Sequence, residues 1–160
     1  MAAVTPVPSV PLAMDTDVFS DLTRGVAATR DFIQQHLANT GNFPSITSIT
    51  IFERLIGIEA ELRKRKITTE QAEQFRGGIL QIAATYRILD FNAEAASIVA
   101  QIMVSLGENK SNKLWYDIMI VATAMAHKHG VATRNKKHME LIADNLPPEY
   151  DPLPLAIWKR

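Results

Sequence analysis

Leu12-Ala13-Met14-Asp15-Thr16-Asp17 is a short apolar run that ends abruptly in acid and hydroxyl side chains. Extended back to Val10, it predicts a buried strand over Val10 to Met14 and a helix from Asp15 to Asp21. A strand apolar on both faces belongs to a sheet covered on both sides. The pattern recurs along the chain. Ser45 to Ile49 is β-branched and reads as a second strand, with a helix from about Ile51 to Lys64 after it. Tyr86 to Asp90 reads as a third strand and Val131 to Thr133 as a fourth, the latter turning at Arg134-Asn135 into a helix over Lys136 to Ala143. Between these strands lie further helical stretches: about Ala28 to Leu37; one opened by the capping box Thr68-Thr69-Glu70-Gln71; and one capped by Asn92 and stopped by Gly107. Glu108 to Lys113 reads as a polar loop. Asp117 to His129 is apolar almost all round, which predicts a buried helix with Gly130 as its left-handed terminator. Strands alternating with helices imply an α/β protein built on a parallel sheet.

The 160 residues are enough for one domain with a real core, and 47% of them are hydrophobic. The expected division is a loose extension over 1–10, a domain over 11–146 and a proline-rich tail over 147–160, with Trp158 as an anchor. Formal net charge is zero. That excludes a protein that coats nucleic acid by bulk charge but leaves room for a local basic patch. Without cysteine there is no disulfide, no thiolate nucleophile and no Cys-ligated zinc. The first residues lack a basic start and a continuous apolar run, so the expectation is a cytoplasmic protein without a membrane span.

Three acids stand in equivalent places. Asp15 follows the first strand, Glu53 lies in Ile49-Thr50-Ile51-Phe52-Glu53 after the second, and Asp117 lies in Leu114-Trp115-Tyr116-Asp117 at a helix start. Each has an ordinary explanation as a helix cap, Thr50 and Glu53 even fitting a capping box. Together they say more. Ligands of open parallel sheets bind beyond the carboxyl ends of the strands. Three acids converging there repel one another unless a hard cation such as Mg²⁺ joins them. Such a site activates water for attack on a phosphodiester. Competing chemistries lack their signatures: there is no G-x-S-x-G, Walker A or H-E-x-x-H sequence. His127 and His129 are too closely spaced to share a helix face as zinc ligands.

Four stretches in this order resemble the PIN-domain ribonucleases, and among them the VapC toxins of bacterial toxin–antitoxin pairs. They are Met14 to Leu22, Thr47 to Gly57, Tyr116 to Ala124 and Gly130 to Asn135. The resemblance spans about Leu12 to Ile142. It implies a PIN-like three-layer fold, with a central parallel sheet of four to five short strands between helices. It also implies Mg²⁺, with Mn²⁺ as an alternative, held by Asp15, Glu53 and Asp117. The implied reaction is hydrolysis of RNA (tRNA, rRNA or mRNA) to a 3′-hydroxyl and a 5′-phosphate. By the same resemblance a small antitoxin and a homodimer are expected. Thr16, Thr133, Arg134, Asn135 and Lys136 are then the expected substrate-side residues, with Lys137 beside them. Asn135 stands where some relatives carry an acid, Asp17 where asparagine is usual, and His138 where an acid is common. Two other readings remain open: a PIN fold without catalysis that serves as a binding module, and a metal-dependent nuclease acting on DNA.

Overall fold

The structure, a computed structural model, describes residues 8–150 and 152–157. In chain order it contains β1 (Leu12–Met14), α1 (Thr16–Thr23), α2 (Ala27–Thr40), β2 (Ser45–Thr47), α3 (Ser48–Arg63), α4 (Thr69–Ala83) and β3 (Ile88–Leu89). There follow α5 (Ala93–Leu106), α6 (Glu108–Lys113), α7 (Trp115–Ala126), β4 (Gly130–Thr133), α8 (Lys136–Ala143), a 3₁₀ turn at Pro148–Tyr150 and β5 (Leu155–Ile157). The strands form one parallel sheet of five in the order β3-β2-β1-β4-β5. The chain therefore winds outward through β2 and β3, then returns to the far side of β1 for β4 and β5. The strand order reverses between β1 and β4, the place where open α/β sheets leave a crevice.

Alternation along the strands builds two cores. Leu12, Met14, Ile46, Ala132 and Ala156 join Phe19 of α1, Phe32 of α2, Ile58 of α3 and Ile79 of α4. Ala13 and Val131 instead join Ile98 and Ile102 of α5, Ile118 and Val121 of α7 and Met139 of α8. Residues of opposite parity on one strand point to opposite faces. The result is three layers, helix on sheet on helix.

The far end of the sheet is closed by two buried histidines. His36 Nε2 accepts the N–H of Leu12 at 2.9 Å, and its Nδ1 lies 2.7 Å from the Asn42 carbonyl. This assigns the ring proton to Nδ1 and leaves His36 neutral. His129 Nδ1 lies 2.7 Å from the His127 carbonyl, and its Nε2 lies 3.2 Å from Ser45 Oγ. Burial holds both rings below the usual histidine pKa.

Several local expectations hold. Thr68 and Gln71 form the capping box, and Asn92 caps α5 through the Ala95 N–H. Others are corrected. Glu108 to Lys113 is the short helix α6, anchored by the buried Ser111 hydroxyl donating to the Met103 and Gly107 carbonyls. Helix α7 starts at Trp115 and ends at Ala126. The left-handed position after it is taken by Lys128, with φ 58°, not by Gly130. Gly130 opens β4 instead. The segment after Pro147 supplies the fifth strand, an apolar Leu-Ala-Ile run against β4. Residues 1–7 of the expected extension and Trp158 lie outside the described residues.

Gly130 is needed because nothing larger fits. A Cβ there would stand 2.4 Å from the Pro154 carbonyl oxygen and 2.7 Å from Leu12 Cδ2. Pro154 sits before the edge strand, where its missing N–H costs nothing and its carbonyl accepts from Val131 at 2.9 Å. Gly130→Ala must push β5 away, because the obstruction is backbone and not a flexible side chain. The expected loss is on the order of 2 kcal/mol in urea unfolding, as for an overpacked core.

Candidate active site

Asp15 continues β1 by one residue: its N–H donates to the Ala132 carbonyl at 3.0 Å. The side chain then divides its oxygens. Oδ1 accepts the Val18 N–H at 2.9 Å and caps α1, while Oδ2 accepts the Thr133 hydroxyl at 2.5 Å. The carboxylate therefore bridges β1, α1 and β4 where the strand order reverses. Asp15 is 2% exposed. That burial raises its pKa from the ordinary 3.8 to about 7, against the lowering effect of the Thr133 and Val18 hydrogen bonds.

Glu53 lies in the second turn of α3, half-exposed, and its Oε2 accepts the Thr16 hydroxyl at 2.8 Å. The cap of α3 is Thr47, which accepts the Thr50 N–H at 3.2 Å, so the Thr50–Glu53 capping box does not form and Glu53 is left facing the sheet edge. Asp117 is the third residue of α7, inside the helix and not its cap. Burial is the main cause that raises the pKa of both Glu53 and Asp117, and repulsion adds to it. The charges concerned are mutual: Asp117 acts on Asp15 and Glu53, and Asp17 acts on all three. The three expected acids are thus brought together, with Asp17 as an exposed fourth.

Thr16 and Thr133 each hold one acid, as described. Asn135 caps α8: its Oδ1 accepts the His138 N–H at 3.3 Å, and its own N–H donates to Thr133 Oγ1 at 2.9 Å. His138 is the residue that sequence reasoning noted without assigning a role. Its Nδ1 lies 2.8 Å from Asp117 Oδ2 and 2.7 Å from Asn135 Nδ2. With a proton, Nδ1 donates to the carboxylate; without one, it accepts from the amide. The signal was the Asn135-x-x-His138 spacing, which puts both side chains on the first turn of one helix. Arg134 turns inward: its Nε lies 2.8 Å from Oδ2 of the fully buried Asp21, bracing the β4–α8 turn against α1. Lys136 is exposed and pairs with Glu140 at 3.5 Å.

Among the described residues, no three His, Asp or Glu side chains are gathered closely enough to hold one ion directly. The donor chemistry still fits a hard divalent cation. The acids are oxygen donors with raised pKa values, and Mg²⁺ takes one or two carboxylates and retains water for its remaining positions. Asp15, Glu53 and Asp117 are the residues that would hold it.

The PIN domain family profile matches residues 13–144. Among solved structures, the chain is similar to DNA-bound VapBC from Salmonella typhimurium, with 19% identity over 94% of this chain and 99% of that one and a TM-score of 0.66. It is also similar to VapBC2 from Rickettsia felis bound to a promoter DNA fragment, with 16% identity, coverage of 92% and 98%, and a TM-score of 0.64. FitAcB from Neisseria gonorrhoeae matches with 23% identity, coverage of 82% and 92%, and a TM-score of 0.57. At these identities the likeness is one of fold. No curated protein matches the chain.

The buried acid makes stability depend on pH. Its folded pKa lies above its unfolded one, so its contribution is complete below pH 3.8 and is lost as pH rises through about 7. The full loss is about 4 kcal/mol at 1.36 kcal/mol per unit. His36 and His129, with lowered pKa values, act oppositely: their contribution is present above pH 6.5 and lost as pH falls. Asp15→Asn isolates the first effect. In EDTA, urea unfolding of this variant and the parent should differ little at pH 4. The variant should become the more stable by a few kcal/mol above pH 7.

Proposed function

This chain belongs to the PIN-domain family, and from that premise we propose that it is a metal-dependent endoribonuclease, the toxin of a toxin–antitoxin pair. The observation that carries the reading is the cluster of Asp15, Glu53 and Asp117. They stand at the carboxyl edge of the sheet with raised pKa values and act on one another's charge, while His138 Nδ1 lies 2.8 Å from Asp117 and Arg54 acts on Glu53. Glu53 and Asp117 cap no helix, and mutual repulsion of carboxylates is relieved by a divalent ion. The fold likeness to VapBC complexes supports a small antitoxin as partner. RNA as substrate, Mg²⁺ or Mn²⁺ as the ion, a homodimer and a cytoplasmic setting belong to the same reading. Among the described residues no helix is long and apolar enough to cross a membrane.

When bound, the cation supplies Lewis-acid activation of water and of the phosphoryl oxygen. The chain's own residues do the rest. The Thr133 hydroxyl and the Val18 N–H fix both oxygens of Asp15, so its orientation is set before substrate arrives. Thr16 does the same for one oxygen of Glu53, leaving the other open to the cleft. His138 steers Asp117 and is itself held by Asn135. Lys136, at the exposed start of α8, offers its ammonium to backbone phosphate in exchange for Glu140. Arg134 contributes by fixing the turn that carries Thr133 and Asn135.

A second reading, a binding module without catalysis, draws on the absence, among the described residues, of three His, Asp or Glu side chains placed to hold one ion directly. The two readings part in a cleavage assay. Pure protein with Mg²⁺ or Mn²⁺ should cut single-stranded RNA, and EDTA should abolish the cutting. Thr133→Ala and His138→Ala should lose roughly 10- to 100-fold, as for residues that orient ligands; Asp117→Asn should lose more. Folded protein that cuts neither structured nor unstructured RNA in any divalent ion would select the binding module. A preference for DNA would select the DNA nuclease.

A further inference from the structure

Two of the three acids are preceded by aromatic residues: Phe52-Glu53 on α3 and Trp115-Tyr116-Asp117 on α7. These aromatics belong to none of the cores. Phe52 is 52% exposed and Trp115 is 48% exposed. Leu114, next to Trp115, is 5% exposed and Ile118 is fully buried. The Phe52 and Tyr116 rings meet across α3 and α7 at 6.2 Å between centroids, tilted by 51°. A cavity of about 340 Å³ opens beside them. Its wall includes Glu53, Asp117, Trp115, Tyr116, Asn112 and Lys113, with Phe52 reaching it through its ring contact with Tyr116. Its volume lies at the lower limit of small-ligand clefts.

We propose that Trp115, Tyr116 and Phe52 form a stacking shelf for one unpaired base of the substrate RNA, adjacent to the acids, with Lys113 meeting a neighbouring phosphate. This rests on the nuclease reading above and sharpens it to single-stranded or looped RNA. The argument is one of complementarity. An acid cluster repels a polyanion, so the substrate must be held by something else close by. Aromatic faces accept any base by stacking, and Lys113 in the same lining supplies the countercharge. Asn112 offers amide hydrogen bonds to a base edge. A base inside an A-form duplex has both faces covered and cannot reach such a shelf, whereas an unstacked base can. The occupant is therefore a nucleotide and not an aliphatic peptide segment, which would gain nothing from Lys113 or from flat aromatic faces.

The test measures anisotropy of a labelled single-stranded RNA of about ten nucleotides with Asp15→Asn protein in Mg²⁺. Cleavage by the parent is followed separately. Trp115→Ala on the Asp15→Asn background should weaken binding roughly tenfold or more, the loss of one stacked base. Trp115→Phe should keep most of it, and Val104→Ala, an exposed apolar change on α5, should leave it unaltered. In cleavage, Trp115→Ala should raise KM with little change in kcat. The same RNA annealed to its complement should bind more weakly than the single strand. Binding of folded Trp115→Ala within twofold of its parent, or no RNA binding at all, overturns the shelf. So does equal binding of duplex and single strand. Cleavage by the parent alongside an unchanged KM in Trp115→Ala overturns the shelf and leaves the nuclease. Trp115-dependent RNA binding without cleavage in any divalent ion overturns the nuclease and leaves the shelf.

Discussion

A carboxylate is buried where β1 ends, and much of the architecture follows from keeping it there. Asp15 closes α1 with one oxygen and β4 with the other, while its backbone extends the sheet. An isolated charge in that position would cost several kcal/mol, and the two hydrogen bonds offset only part of this. The pKa of about 7 is the residual cost expressed as proton affinity. Nature has ready neutral alternatives for an N-cap and for a Thr partner. A residue kept at such a cost at the crevice of a parallel sheet therefore points to a positive ligand.

The two ends of the sheet divide the work. At the amino edge, His36 receives the first strand N–H and His129 meets Ser45, so every ring nitrogen is used and both rings stay neutral. At the carboxyl edge, repulsion is left standing between Asp15, Glu53, Asp117 and Asp17. Hydrogen bonds there go from hydroxyls and a histidine to carboxylates. They orient the acids, and the hydroxyls among them bring no charge. Stability concentrates at one end and unbalanced charge at the other, the distribution expected when a site is held by a rigid scaffold.

Most of this was legible in the chain itself because the deciding signals are local. Four strands follow from short apolar or β-branched runs, and Asp15 and Asn92 follow from cap chemistry. What escaped depends on distant partners. Leu155-Ala156-Ile157 lies among prolines and looks like tail until β4 is beside it, because a ladder is stabilised by its neighbour and not by its own composition. Gly130 looks like a helix terminator until Pro154 is seen against it. Arg134 reads as a phosphate ligand until the buried Asp21, far away in sequence, takes its Nε. Glu53 looked like half of a capping box; the helix starting at Ser48 instead of Ile51 moved it into the second turn and made it available to the cleft.

The aromatics beside the acids have the same geometric origin as the acids' own exposure. Successive residues on a helix are rotated by about 100°, so a side chain directly before one that faces the sheet edge cannot share its direction. Phe52 and Tyr116, and Trp115 two positions before Asp117, are therefore turned away from the direction in which Glu53 and Asp117 point. The rim positions needed only to be tolerant of water, and lysine, glutamate or serine would serve solubility better than tryptophan. Phe52, Trp115 and Tyr116 occupy them instead, two of them in ring contact across separate helices. A charged rim would repel or bind phosphate only. An aromatic rim offers flat apolar faces on which bases stack, the property on which the proposed shelf rests.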